Sequence, residues 1–303
     1  MNYKTILLTG AALLISSQAM AAQDITGAFA VPGKGQFTSD TRIGMTRANV
    51  KWTAGNESVS AANDGLYAEE QIEYGITDKF SVNAGIANAF DKDAGYSTFW
   101  GAAFGEKDKS YNNDHNFAYN VGAKYNTSYE DALFQAAVSY TTWNPHSFYG
   151  HHSGTGNDWQ KNLGLDLKAG LDLGNGITPY IVYHIDSDID VAHRELNQSV
   201  SVGVHKYTGK WALDGALRYE WTKNHADFWY NDVDGEEYFG NTTETWLDAS
   251  ADYYLKDNVV LGVYGSYLID SHDRSLKVDG INVPVKNHQS TTYELGLHVK
   301  VLF

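Results

Sequence analysis

Cysteine is absent from the 303 residues. That excludes a disulfide framework and an anchor carried on an N-terminal Cys, so stability has to come from strand pairing and from the surroundings. No stretch reaches the roughly 18 consecutive apolar residues that mark a transmembrane helix, and the mean hydropathy is negative. Basic residues are few, 22 Lys+Arg against 37 Asp+Glu for a net charge of −15, which argues against the basic footprint that nucleic-acid binding needs. Only four Pro occur, and no Gly-rich phosphate cradle follows a strand and opens a helix, so long strands are permitted and nucleotide chemistry has no support.

What the chain does contain is alternation. In the final stretch, Tyr293, Leu295, Leu297, Val299, Val301 and Phe303 fall on one face of an extended strand, and Glu294, Gly296, His298, Lys300 and Leu302 on the other, because strand side chains alternate with period two. At the opposite end, residues 1–21 combine Lys4, an apolar run from Ile6 to Ile15 and Ala19-Met-Ala21. That pattern predicts a secretory signal peptide with an Ala-x-Ala cleavage site, its apolar core too short to span a bilayer. Residues 22–39, with Pro32, Gly33 and Gly35 and no sustained period, are expected to form a periplasmic tail or a segment folded into the lumen. Residues 40–303 are expected to form the barrel itself.

The final strand resembles the closing strand of Gram-negative outer-membrane β-barrels, which typically end on Phe. The resemblance implies export to the cell outer membrane, contact with its lipids and lipopolysaccharide, and recognition by the barrel-assembly machinery through the strand that ends at Phe303. A barrel also reconciles the negative hydropathy with a membrane, since only alternate strand residues meet lipid. The 21 Tyr and 8 Trp suit aromatic girdles at the two interfaces.

Turn signals divide the chain into strands at 40–53, 65–75, 79–90, 115–127, 132–143, 160–173, 177–187, 196–208, 210–223, 241–255, 258–270 and 288–303. The predicted fold is therefore all-β: a transmembrane antiparallel up-and-down barrel of about twelve strands. Short turns at 76–79, 128–131, 174–176, 208–210 and 256–258 interleave with long polar stretches at 54–64, 91–114, 144–159, 188–195, 224–240 and 271–287. Short periplasmic turns and long external loops are the asymmetry of outer-membrane barrels; a large soluble sandwich or lipocalin-like barrel is the competing reading.

Clean alternation assigns the faces. Leu163, Leu165, Leu167, Ala169 and Leu171 oppose Asp166 and Lys168, for example. A Lys or Arg facing hydrocarbon at mid-bilayer would cost roughly 2–4 kcal/mol, so the charges are expected to point inward. The pore-lining candidates are Lys124, Asp166, Lys168, Asp172, Asp214, Arg218, Glu220, Glu244, Asp248, Asp252, Glu294, His298 and Lys300, with Glu69 and Glu73 added from the second strand, where Glu70 crowds them and alternation is poor. The interior is acidic, and an open lumen of this kind favours cations. Alternatively, these charges pair with one another and fill a narrow barrel.

At strand level the chain resembles porin-type channels of the Gram-negative outer membrane. Twelve-stranded members include nucleoside channels and monomeric porins for acidic oligosaccharides, and the phrase Tyr67 to Val82 resembles a strand-turn-strand of outer-membrane transporters associated with aromatic-compound degradation. Acidic-sugar porins are expected to carry arginine tracks, whereas Arg218 is the one Arg among the clear interior bases, which counts against that substrate. The resulting expectation is passive transport of small hydrophilic solutes through a mildly cation-preferring lumen, with no enzyme activity and no cofactor. The alternative is a structural or surface-interaction barrel with a sealed lumen.

One loop invites chemistry. His151 and Ser153 share the two-residue spacing of outer-membrane lipid hydrolases, in which a His activates a hydroxyl, but Gly150, Gly154 and Gly156 surround them and no oxyanion donor is identifiable. His146, His151 and His152 could meet a zinc ion, yet no partners that would orient them are legible. The run from Asn231 to Glu237 starts like a calcium loop, but the twelfth position counted from Asp232 is Thr243 where a bidentate Glu is required.

Overall fold

A computed structural model describes residues 25–54, 57–89, 116–143, 160–189, 193–228, 237–239, 242–272, 274–278 and 281–303. Twelve long strands run in sequence around a ring: β1 (Phe37–Ala54), β2 (Glu57–Gly75), β3 (Phe80–Ala89), β4 (Asn116–Tyr129), β5 (Ala132–Trp143), β6 (Gln160–Leu171), β7 (Ile177–Asp188), β8 (His193–Tyr207), β9 (Trp211–Phe228), β11 (Thr242–Lys256), β12 (Val259–His272) and β14 (Ile281–Leu302). Two short strands, β10 (Glu237–Phe239) and β13 (Arg274–Val278), extend the rim between β9 and β14. Each long strand pairs antiparallel with its neighbour in sequence, and β1 pairs with β14 to close the ring. Among the described residues there is no helix.

Closure is fixed at the chain's last residue. Phe37 and Phe303 exchange backbone hydrogen bonds of 3.2 and 2.8 Å, and their rings stack at 4.6 Å. The tight turns have the backbone chemistry their geometry demands. Asn175 and Gly176 of the β6–β7 turn and Gly209 of the β8–β9 turn all take positive φ, a region that Gly enters without steric cost and Asn tolerates.

The outer surface is apolar and exposed: Val138, Leu163, Val202, Leu217, Leu297 and their neighbours lie about half exposed on successive strands. Aromatic rings bound this belt. Near the short turns stand Phe37, Phe303, Tyr74, Tyr125 and the tilted pair Trp211–Tyr253; toward the other rim stand Tyr119, Tyr219, Trp221, Tyr267 and Tyr293. From Trp211 to Tyr219, a strand rising ~3.3 Å per residue and tilted ~40° climbs about 20 Å, close to the ~25 Å apolar band of a membrane barrel.

Two expectations need correction. The stretch 54–64, expected as a loop, is strand almost throughout: β1 and β2 form one tall hairpin paired out to Ala54↔Glu57. Likewise 281–287 belongs to β14, paired with β1 up to Ala54↔Val285 and with β13. Beyond the lipid there is no hydrocarbon to impose apolar alternation, so backbone pairing continues there without the sequence pattern that marks it lower down.

Residues 25–36 lie across the short-turn end of the ring. Ile25 is 3% exposed and packs with Ala212, Tyr254, Val260 and Leu302, and its N–H donates to the Tyr254 hydroxyl at 3.0 Å. Four residues on, Phe29 lies against Gly170 of β6, and the segment then joins β2 through the bond from Gly35 N to Gly75 O, 2.8 Å.

Candidate functional site

Strand parity places nearly every predicted charge on the inner wall. Lys124, Asp166, Lys168, Asp214, Arg218, Glu220, Glu244, Asp248, Asp252, Glu294, His298 and Lys300 all alternate with exposed apolar neighbours such as Val121, Leu167, Leu213, Leu217, Leu247 and Leu297. Glu69 and Glu73 join them, buried at 5% and 7% exposure. Asp172 does not: it lies past the end of β6, exposed, with its carboxylate accepting the N–H of Gly174 at 2.9 Å. The residue continues the alternation of β6 in sequence, but the chain has already turned, and a short Asp side chain there caps the turn.

The wall around the closure seam is knitted together. His298 of β14 bridges two carboxylates, Nδ1 to Asp40 at 3.1 Å and Nε2 to Asp252 at 2.7 Å. Arg42 donates to the same Asp40 through Nε at 3.2 Å and Nη2 at 2.9 Å and lies over the Tyr264 ring. Tyr67 donates to Glu294 and shares a 2.5 Å contact with the Tyr264 hydroxyl. The close approach needs Gly262, because a Cβ there would overlap the Asp252 carboxylate and the His298 ring. Gly44 and Gly296 likewise leave room for the Tyr67 and Tyr264 rings. The Asp40, Asp252 and His298 side chains retain 8%, 6% and 9% exposure.

Across the lumen the wall is open. His184 of β7 meets Asp166 at 2.6 Å and Asp186 at 3.5 Å, with Asp166 39% exposed. Arg218 of β9 contacts Asp248 through Nε at 3.0 Å and Glu220 through Nη1 at 3.0 Å, its side chain 29% and that of Asp248 30% exposed. Tyr180 donates to Asp214 at 2.6 Å. These groups on β6, β7, β9 and β11 keep accessible surface that Asp40, Asp252 and His298 lack. Between the two walls, Lys124 reaches Glu73 at 2.8 Å, and Ser81 donates to the same carboxylate at 2.5 Å.

Alternation missed several inner residues. Asp40 and Arg42 sit on β1, where outward Ser39 and Thr41 obscure the pattern; His184 and Asp186 sit on β7, whose apolar residues occur on both parities. Glu70, grouped in sequence with Glu69 and Glu73, points the other way, onto the apolar belt. Ser39 donates to it at 2.5 Å and Thr41 donates to its second oxygen. A carboxylate on that surface is costly unless its oxygens are satisfied, and the two hydroxyls of β1 supply that. The signal was present in sequence: Ser39 and Thr41 alternate with Asp40 and Arg42, so only one of the two polar pairs could face inward.

The inner wall of the described residues carries eleven acids, Asp40, Glu69, Glu73, Asp166, Asp186, Asp214, Glu220, Glu244, Asp248, Asp252 and Glu294, against Arg42, Lys124, Lys168, Arg218 and Lys300. No group of three or more metal-ligating side chains is found among those residues. His146, His151, His152 and Ser153, and the 231–236 part of the acidic loop, lie outside them.

No protein-family model matches the sequence, and comparison with curated proteins finds no match. Solved structures do match. An outer membrane channel from Pseudomonas putida F1 superposes with TM-score 0.59 at 14% identity, covering 91% of this chain and 98% of that one. The NanC porin gives TM-score 0.45 at 10% identity over 87% and 98% of the two chains, and a mutant of the TodX monoaromatic hydrocarbon channel gives 0.44 at 11% over 90% of each. The first likeness is one of fold: this chain is a closed twelve-stranded antiparallel barrel.

Proposed function

We propose that the barrel is a passive channel of the outer membrane for small hydrophilic solutes, with a mild preference for cations. The observation that carries this reading is the open wall, where Asp166, Asp214 and Asp248 face inward and stay a quarter to two-fifths exposed. Carboxylates beside water between low-dielectric walls raise the local concentration of cations. Arg218 and His184 stand among them, and Arg42 reaches inward at 35% exposure, so the preference is mild. Solutes cross by diffusion past charged groups, with no covalent step.

Lipids and lipopolysaccharide cover the outer belt, and the assembly machinery would engage the strand that ends at Phe303. One observation favours a second reading: the segment crossing the short-turn mouth suits a sealed barrel that works through its external loops. Single-channel recording of the refolded protein in a planar bilayer, with the reversal potential under a salt gradient, separates the two. Ohmic steps with cation-selective reversal are expected. Silence from folded, heat-modifiable protein overturns the channel reading and leaves the sealed one.

A further inference from the structure

The segment Ile25–Phe29 is held at its two ends by opposite sides of the ring. Ile25 sits among Ala212 of β9, Tyr254 of β11, Val260 of β12 and Leu302 of β14. At the other end Asn126 of β4 donates to the carbonyl of Phe29, and Lys168 of β6 donates to the carbonyl of Ala28 at 2.6 Å. In the twelve-strand order these two groups of strands face each other. The segment itself is bent and turned, closed by the bond from Ala30 N–H to Gly27 O at 2.8 Å, and its contacts reach both groups of strands.

The grip is selective in its chemistry. Gly170 leaves a slot for the aromatic ring, since a Cβ there would lie 2.6 Å from a Phe29 ring carbon, and the Lys168 ammonium stands 5.7 Å from the ring centroid. The two wall donors take consecutive backbone carbonyls, and the Tyr254 hydroxyl takes the N–H of Ile25. Side chains of the wall thus satisfy backbone groups of this turned segment that no strand ladder pairs.

We propose that the short-turn mouth is a binding site for a short, uncharged peptide that turns between an apolar side chain and, four residues later, an aromatic one, and that the chain's own Ile25–Phe29 occupies it as a removable strap. The consequence for solute flow rests on the channel reading above; the occupancy of the site does not. Ligands of this class compete with the strap, and its release widens the mouth.

The native chain has no Cys, so Ala212→Cys places a single thiol behind Ile25, at a position that is 1% exposed. Labelling it with a polar maleimide from the short-turn side reads the strap directly, and conductance reads its effect. Combining Ile25→Ala with Phe29→Ala is expected to speed labelling at least about tenfold, since each side chain loses most of its apolar burial, and to raise conductance. Acetylated, amidated Ile-Thr-Gly-Ala-Phe-Ala-Val, residues 25–31, is expected to slow labelling again, whereas a scrambled peptide is not. Gly170→Ala, which fills the aromatic slot and leaves the strap sequence intact, guards against a folding artefact and is expected to speed labelling too. Unchanged labelling in folded double and Gly170→Ala variants, or equal protection by the scrambled peptide, overturns the proposal. Faster labelling with no conductance in any form supports the site and overturns the channel reading instead.

Discussion

The two halves of the inner wall are built from the same residue types and differ in what surrounds them. Beside the seam, Asp40, His298 and Asp252 form one row from β1 across β14 to the neighbouring strands, each below a tenth exposed, and tyrosines packed on glycines cover them. On β6, β7, β9 and β11, the comparable set Asp166, His184, Arg218 and Asp248 remains about a third exposed. Charge alone therefore does not mark a conduit. A carboxylate locked between fixed donors shapes the wall, whereas under the proposed channel function one bordering water acts on what passes.

The largest effect is expected where the knitted wall is broken. His298→Ala leaves the Asp40 and Asp252 carboxylates without their bridge, and losing one partner from a buried charged group costs about 3–5 kcal/mol. Urea unfolding of the barrel in liposomes should show that drop, and Gly262→Val should do at least as much by wedging the two side chains apart. Next comes the outward carboxylate. Thr41→Val removes one of the two hydroxyls that satisfy Glu70 and should destabilise by about 1–3 kcal/mol, while Glu70→Leu in the same assay should be close to neutral, since the charge goes with its donors' burden.

The contrast between the walls sharpens further in selectivity. Asp166→Asn should move the reversal potential toward zero with stability within about 1 kcal/mol of wild type, whereas Asp252→Asn should lower stability and leave the reversal potential unchanged. The reverse pattern would sink the assignment of the open side. Raising the salt from 0.1 to 1 M shortens the screening length from about 10 to 3 Å, and should erase most of whatever preference the wild type has. The smallest effect is expected at Asp172→Ala, about 0.5–1 kcal/mol from one lost turn hydrogen bond, with no change in selectivity.

The strands were legible wherever hydrocarbon sets the rule. β6 and β11 show it cleanly: Leu163 to Leu171 and Leu247 to Leu255 lie outward at every second position, and the intervening charges have nowhere else to point. The rule fails where an outward position is polar but satisfied locally, as at Glu70, and this hid Asp40 and Arg42 on the adjoining strand. It also fails above the membrane, where Glu57 to Asn63 is strand without an apolar face. Asp172 shows the opposite error, alternation running on by one residue past the point where the backbone turns. Which inner charges touch water was not readable at all, because it depends on the Tyr67, Tyr264 and Gly262 contacts between strands far apart in sequence.

The seam carries a kinetic consequence. Thr38 pairs with Leu302 and Ser39 with Val301, so the ring is completed by residues from opposite ends of the chain, and neither edge strand has its partner until the last residues arrive. Such long-range pairing is intrinsically slow, and two open edges with unpaired N–H and C=O groups invite association with other chains in the meantime. The earlier strands pair with their neighbours in sequence, whereas closing the ring waits on a separate step, the meeting of β14 with β1.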